Sequence, residues 1–433
     1  MIDERDWVFA CRTPEAWTAA LIWKRGQRLG ALRAIRGAAA VSYFLDHGAQ
    51  LDAIVLHPAF HAWLHRFKQG AGGKRGLTDR LSEFSGFAAA AALAGGGSLT
   101  LEVRLDERGR FHLHGLARYL DLGPRAARAS AWLRAEPDLW KLRASSGETL
   151  TVAADALRSG RSVEGVGTLP LIAGRMELNV LDPQVLAVFA EGRGAYDHKI
   201  AALSGPAAAE YIRVLREAVS HVGRFDVVLC EELLTDIRVL VPLRNRARLT
   251  SVSSTYSSLQ GAIGLSHSPD AIVQAETLIH EFSHNKLNLL LEMTALFDPR
   301  SPSEASFYSP WREDLRPLRG LLLGSHAFLN TARFGGWCLE RLELAAAPRR
   351  QLAVHVCQTL LRVESALRTL ASHGVFTPGG GRFLVAMTAA LTELKKEAAK
   401  FPAAVLAEAR AAFDAHRAKH KGLDSRRLAR VSP

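Results

Sequence analysis

Apolar positions change their period twice along this chain. From Thr13 to Ala94 they recur at spacings of three and four, as in Trp17, Leu21 and Ile22 and later Phe60, Trp63, Leu64 and Phe67, which predicts amphipathic helices. Three glycines at 95 to 97 end that segment. Leu99, Leu101 and Val103 then alternate with Thr100, Glu102 and Arg104, the period of a half-buried strand. The Glu107-Arg108-Gly109-Arg110 turn and the run from Phe111 to Leu116 predict a hairpin partner for it. Short β-like runs follow at Leu150 to Ala153, Met176 to Val180, Val227 to Cys230 and Ile237 to Val241, with a helical pattern from Ala207 to Val222 among them. Beyond Leu265 helical spacing dominates, broken by a Pro-rich crossing at Pro299 to Pro317 and a loop at Thr377-Pro-Gly-Gly-Gly. The expected class is α+β and predominantly helical. Residues 1–97 form a helical N-terminal region, 98–260 a mixed β-containing central region, and 261–433 a helical C-terminal region with a basic tail.

Composition narrows the function classes. With 433 residues, 48% apolar and 23% charged, the chain is a globular protein with a substantial core. Its longest apolar stretch, Phe87 to Ala94, is far short of the roughly 18 to 20 residues that cross a bilayer, so no membrane is expected. The start, Asp3-Glu4-Arg5-Asp6, lacks the basic segment and hydrophobic core of a secretory signal, and the expected location is the cytoplasm. Cys11, Cys230, Cys338 and Cys357 are scattered and form no Cys-x-x-Cys pair, which points to reduced structural thiols. The net charge of +12 is concentrated in Lys24 to Arg36 and in a C-terminal run from Arg410 to Arg430. No aromatic-rich basic motif or zinc finger accompanies these runs, so they read as solvated helix faces and a tail, and no nucleic-acid partner is expected.

The chemically informative segment is Glu276-Thr-Leu-Ile-His-Glu-Phe-Ser-His-Asn-Lys. Ser268 is placed to cap a helix with Pro269 at its first position, and the apolar pattern runs without a breaker to Phe297. On such a helix His280 and His284 lie one turn apart on one side and can converge on a single metal, with Glu281 beside them to orient a ligand or take a proton. From the frequencies of His and of acidic residues, fewer than roughly 0.06 accidental matches to this spacing are expected.

The stretch from Gly261 to Arg333 adds Tyr308-Ser-Pro-Trp-Arg-Glu-Asp-Leu-Arg-Pro and Gly324-Ser-His-Ala-Phe-Leu to that helix. It resembles the H-E-x-x-H peptide-modifying proteins of ribosomal natural-product clusters, a family associated with iron- and 2-oxoglutarate-dependent β-hydroxylation of precursor peptides. The resemblance covers about 70 residues. It implies Fe(II), 2-oxoglutarate as cosubstrate, dioxygen, and a ribosomally made precursor peptide as partner. Such a centre needs three facial protein ligands. His326 is the first choice for the third, with Glu304, Glu313 and Asp314 as carboxylate alternatives. The distal carboxylate of 2-oxoglutarate needs a fixed cation, for which Arg312 and Arg316 offer planar forks.

Two other classes remain open. A zinc peptidase would use Glu281 as general base and needs a third ligand. Glu304 lies at one usual offset but in a Pro-rich stretch, and positions 287 and 290 are leucines where the alternative pattern H-E-x-x-H-x-x-G-x-x-H requires Gly and His. A non-catalytic peptide-binding partner would tolerate loss of any of these residues. Other histidines carry less: His57, His61 and His65 are spaced by four without an acidic neighbour, His112 and His114 share one face of the expected second strand, and His267 precedes the histidine helix.

Overall fold

A helix that is apolar all round must be enclosed on every side, and Ser85–Gly95, sequence SGFAAAAALAG, is buried from Ser85 to Leu93. This and the other elements come from a computed structural model that describes residues 3–11, 14–35, 37–69, 81–191, 200–201, 203, 205–245, 251–302 and 305–427. Helix accounts for 59% and strand for 15%, in several small sheets, so the α+β class holds. No described helix is long and apolar enough to cross a membrane.

After a 3-10 turn at Glu4–Trp7, the described helices of the first half are α1 (Pro14–Arg33), α2 (Ala39–His47), α3 (Asp52–Val55), α4 (Pro58–Lys68) and α5 (Ser85–Gly95). Strands β1 (Leu99–Arg104), β2 (Arg110–Leu113), β3 (Arg118–Asp121), β4 (Ser130–Ala135), β5 (Leu139–Ala144) and β6 (Thr149–Ala153) follow. Next come α6 (Ala154–Ser159), β7 (Val166–Thr168), β8 (Leu171–Ile172), β9 (Met176–Leu178), α7 (Pro183–Glu191), α8 (Gly205–Phe225), α9 (Val227–Asp236) and β10 (Val239–Leu243). The rest comprises β11 (Ser253–Ser254), β12 (Ala262–Ser266), α10 (Ala271–Met293), β13 (Ser306–Phe307), β14 (Arg316–Pro317), α11 (Leu318–Arg341), α12 (Ala346–His373), α13 (Pro378–Ala398) and α14 (Ala403–Arg427).

The chain divides into two compact units, each drawn from separated stretches. One contains Leu21–Arg216 and Leu233–Pro269. Its antiparallel sheet β1-β4-β5-β6 alternates buried and exposed residues, and the inner row of Leu101, Val103, Leu133, Trp140 and Leu142 shares a core with Phe87 and the alanines of α5. A second sheet, β11-β12-β10-β9-β8, has the wholly buried β10 parallel to both neighbours, as two-sided burial of a Val/Leu run predicts. The other unit contains Met1–Ala20, Glu217–Glu232 and Asp270–Pro433. It is helical: α11 packs against α10 and α12, and α12 against α13 and α14.

Four local expectations are corrected. β1 pairs with β4, and the 111–116 run does not complete its hairpin; Asp106 accepts the N–H groups of Arg108 (2.8 Å) and Arg110 (2.9 Å), and the following strand pairs with β3 in a separate sheet. The β-branched run at Val227 to Cys230 opens α9, because Asp226 accepts the N–H of Leu229 and the two valines face solvent. α10 is capped by Asp270, which accepts from Ile272 and Val273, two residues later than Ser268, and it ends at Met293. Thr377-Pro-Gly-Gly-Gly starts α13, with Thr377 as its cap and Pro378 at its first position.

Candidate metal centre

α10 carries four polar side chains on successive turns of one face: Glu276, His280, His284 and Asn288. The two imidazoles meet, with Nε2 of His280 3.1 Å from Nε2 of His284 and the rings edge to face. In the metal-free chain one Nε2–H donates to the bare Nε2 of the other. The same separation brings both nitrogens within reach of one ion at the ~2.0–2.1 Å bond length of metal-bound imidazole. Burial, reinforced by His284, pushes the His280 pKa down to about 3, and burial also lowers that of His284. Both rings are thus held neutral, the form that ligates metal.

Aromatic side chains wall this face. Phe328 of α11 packs on His280 with ring centroids 4.7 Å apart, and Trp311 packs on Phe328 at 5.1 Å. Trp311 packs against Gly324, where a Cβ would come within 2.2 Å of the indole, so only glycine admits the ring there. Either end of the histidine face is tied by an ion pair or hydrogen bond. Glu276 accepts from His355 Nε2 at 2.9 Å, which raises the His355 pKa, and Arg319 Nη2 donates to Asn288 Oδ1 at 3.1 Å. These flanking groups escaped the sequence reading although the signal was present: extending the i, i+4 spacing of H-E-x-x-H by one turn each way reaches Glu276 and Asn288.

Glu281 is turned about 100° from His280 around the helix and is 4% exposed. His326, expected as third ligand, is 1% exposed and occupied elsewhere: Nδ1 faces the carbonyl of Ser283 at 3.1 Å and Nε2 that of Trp7 at 2.9 Å. Both nitrogens point at carbonyls, the one that carries the proton in the neutral ring donating to its carbonyl, so neither nitrogen is directed at the His280–His284 pair. Arg312 and Arg316 both engage Asp314, at 2.7 Å and 2.9 Å, so this carboxylate serves as their shared counter-ion. Glu313 is exposed, and Glu304 lies outside the described residues. Among the described residues no group of three or more His, Cys, Asp or Glu side chains is arranged to hold a metal ion. Two nitrogens therefore fit an ion, and a complete facial triad is not assembled from described side chains.

The remaining histidines have structural partners. His57 caps α4 by accepting from Ala59, His61 bonds the Ser257 carbonyl and His65 bonds Gln69, so the trio does not converge. His267 stacks edge-on against Tyr211.

The buried neutral histidines predict acid lability of the metal-free protein. Burial and the Lys286 ammonium push the His326 pKa down to about 3, against the opposing pull of its two carbonyl partners. A pKa lowered on folding means that stability is complete above about pH 6.5 and is lost as pH falls toward the folded value, by about 1.4 kcal/mol per pH unit per ring that must stay neutral. Urea unfolding midpoints should fall from pH 6.5 to pH 4, and His326→Gln should shallow that slope by about one proton. A midpoint indifferent to pH over this window would show that the rings charge in place.

No protein-family model matches the chain, and no curated protein matches it at a significant level.

Proposed function

We propose that this chain is an Fe(II)- and 2-oxoglutarate-dependent oxygenase that hydroxylates a side chain, at its β carbon, in a ribosomally made precursor peptide. The observation that carries the metal half of the reading is the convergence of two neutral, half-buried imidazoles, their Nε2 atoms 3.1 Å apart on one face of α10. The resemblance of residues 261–333 supports iron and 2-oxoglutarate as the chemistry. His280 and His284 would hold the ion. The chemistry an iron held there would supply is dioxygen activation coupled to oxidative decarboxylation of 2-oxoglutarate to succinate. Phe328, packed on His280, and Trp311 behind it would shield one side of the histidine face and present an apolar wall to a peptide side chain. The Glu281 carboxylate would steer ligands or substrate by accepting a hydrogen bond, without having to serve as the base a peptidase requires.

The deciding experiment is anaerobic reconstitution with Fe(II), followed by 2-oxoglutarate, air and a precursor peptide. Succinate and a peptide heavier by one oxygen are expected. Peptide cleavage with zinc alone, indifferent to 2-oxoglutarate, would establish a peptidase instead.

The cosubstrate predicts a cation. Arg312 and Arg316 are held by Asp314, and Arg319 is bonded to Asn288 on the histidine face, which adds it to the arginines whose forks could take a carboxylate. For the one that binds, substitution by Lys keeps the charge and loses the fork, costing on the order of 2 to 4 kcal/mol, or about 30- to 1,000-fold in 2-oxoglutarate affinity. If it is Arg312 or Arg316, Asp314→Asn should strengthen binding by removing the competing carboxylate. Titration monitored by the iron-to-cosubstrate charge-transfer band reads both effects, and wild-type affinity in all three lysine variants would remove the arginine clamp from the proposal.

A further inference from the structure

A second constellation of histidines lies against a cavity of about 280 Å³ beside β2, in the unit built from Leu21–Arg216 and Leu233–Pro269. His112 and His114 both line it and are each 7% exposed. Their rings are nearly parallel, 12° apart in plane, with centroids separated by 6.2 Å. One nitrogen of each is fixed by a carboxylate: His112 Nε2 lies 2.9 Å from Asp106 Oδ2, and His114 Nδ1 lies 2.7 Å from Asp182 Oδ2. Burial opposes the charge on Asp182, but His114, His112 and His57 together hold its carboxyl well below the usual range. The second nitrogen of each ring, His112 Nδ1 and His114 Nε2, has no hydrogen-bond partner among the described residues. A Cβ on Gly86 would come within 2.6 Å of the His114 ring and of the His112 carbonyl, so a bare backbone is what lets α5 approach this pair.

A third donor lines the same cavity. Arg110 gives its Nε to Asp121 at 3.0 Å and stacks over Tyr119, while its Nη1 is buried without a hydrogen-bond partner. Buried guanidinium N–H groups are costly to leave unpaired. The acidic neighbours are already committed: Asp106 Oδ1 accepts two backbone N–H groups, Glu83 accepts from Gln184 Nε2 at 3.1 Å and pairs with Arg66 at 3.7 Å, and Glu107 pairs with Arg128 at 2.6 Å. The cavity thus presents two oriented imidazole nitrogens and one guanidinium N–H, with no free carboxylate to match them. An imidazole whose other nitrogen donates to a carboxylate can take a proton at the open position and offer it to an anion, or accept the proton of an acidic O–H.

We infer that this cavity is a binding site for a tetrahedral oxyanion, a phosphate or phosphoryl group, held by His112, His114 and Arg110. Three donors carried at the alternate positions 110, 112 and 114 of β2 and the residue after it, two imidazoles and a guanidinium, suit three splayed oxygens better than the two of a planar carboxylate. The volume lies at the lower edge of the roughly 300–1,000 Å³ of pockets for drug-sized ligands, which suits a small headgroup. Inorganic phosphate and a phosphoryl group on a larger molecule share this chemistry.

Equilibrium dialysis of the full chain with radiolabelled inorganic phosphate tests the site, with O-phosphoserine amide and acetate as competitors. One saturable equivalent is expected, displaced by O-phosphoserine amide and much less by acetate; tighter competition by the phosphoserine compound identifies a phosphoryl group on a larger molecule, and weaker competition identifies free phosphate. His112→Gln keeps a donor to Asp106 while deleting the open ring nitrogen, and Arg110→Gln removes the guanidinium; each should weaken binding at least about tenfold. Histidine Cε1–H resonances that move with phosphate in wild type, and no longer do so in folded His112→Gln, would add a readout independent of Arg110. No saturable binding below about 10 mM, binding as tight as wild type by both variants, or preference for acetate would overturn the inference.

Discussion

His280→Ala and His284→Ala should each abolish turnover and reduce iron affinity by more than about a hundredfold, since loss of a mere hydrogen-bond partner of a ligand already costs 10- to 100-fold. Neither change should melt α10. That helix is held by the Asp270 cap and by Leu278, Ile279, Phe282, Leu287 and Leu290, all buried on its other sides. Alanine is a better helix former than histidine, and the substitution removes an imidazole kept neutral by desolvation and the neighbouring imidazole. The metal-free variants should therefore be as stable as wild type, or more so below pH 6.5. Glu281→Gln separates the readings further: an oxygenase keeps its iron and some succinate formation, whereas a peptidase loses its general base. Metal analysis after anaerobic loading, with succinate as the activity readout, checks all three. Stoichiometric iron and full turnover in both alanine variants would sink the metal assignment.

The histidine helix was legible because its information is local. A spacing of four, a Ser-Pro start signal and an apolar pattern specify one face of one helix, and His280, His284 and the course of α10 follow from them to within a few residues at either end. Strand pairing was less legible, since it depends on which distant partner is available: β1 has the alternation its sequence announces, yet its neighbour is β4, reached only after β2 and β3 have formed their own sheet. His326 shows the same limit at the site. Its place in Gly324-Ser-His-Ala-Phe-Leu puts it on a helix next to α10, but Gly324 and Phe328 turn toward Trp311 and His280 while His326 turns to the carbonyls of Ser283 and Trp7. Sequence alone does not say which face of α11 meets α10. Lys286 was the least expected outcome, because a charged residue two positions beyond His284 reads as solvent-exposed and is 1% exposed.

Lys286→Met should destabilise the fold by about 3–5 kcal/mol, the cost of leaving one partner of a buried ion pair uncompensated. Lys286 Nζ lies 2.9 Å from Glu232 Oε2, with the two side chains 1% and 3% exposed, and it also donates to the Phe9 carbonyl. The rings of Trp7 and Trp17 flank the ammonium at 5.6 and 5.8 Å. Glu232 completes the arrangement by accepting the Cys11 N–H at 2.5 Å through its other oxygen. His326 and Asn330 face the carbonyls of Trp7 and Val8, so three consecutive carbonyls of the N-terminal segment are met by three buried side chains from α10 and α11. A methionine fills the volume of the lysine stem but leaves the Glu232 carboxylate without its cation and the Phe9 carbonyl without a donor. Lys286→Met combined with Glu232→Gln should recover part of the loss, since no unpaired charge then remains, and the difference from additivity measures the coupling. Urea denaturation of the two single variants and the double reads this directly. A Lys286→Met protein within about 0.5 kcal/mol of wild type would show that the pair is solvated and that the N-terminal segment is held by its tryptophans alone.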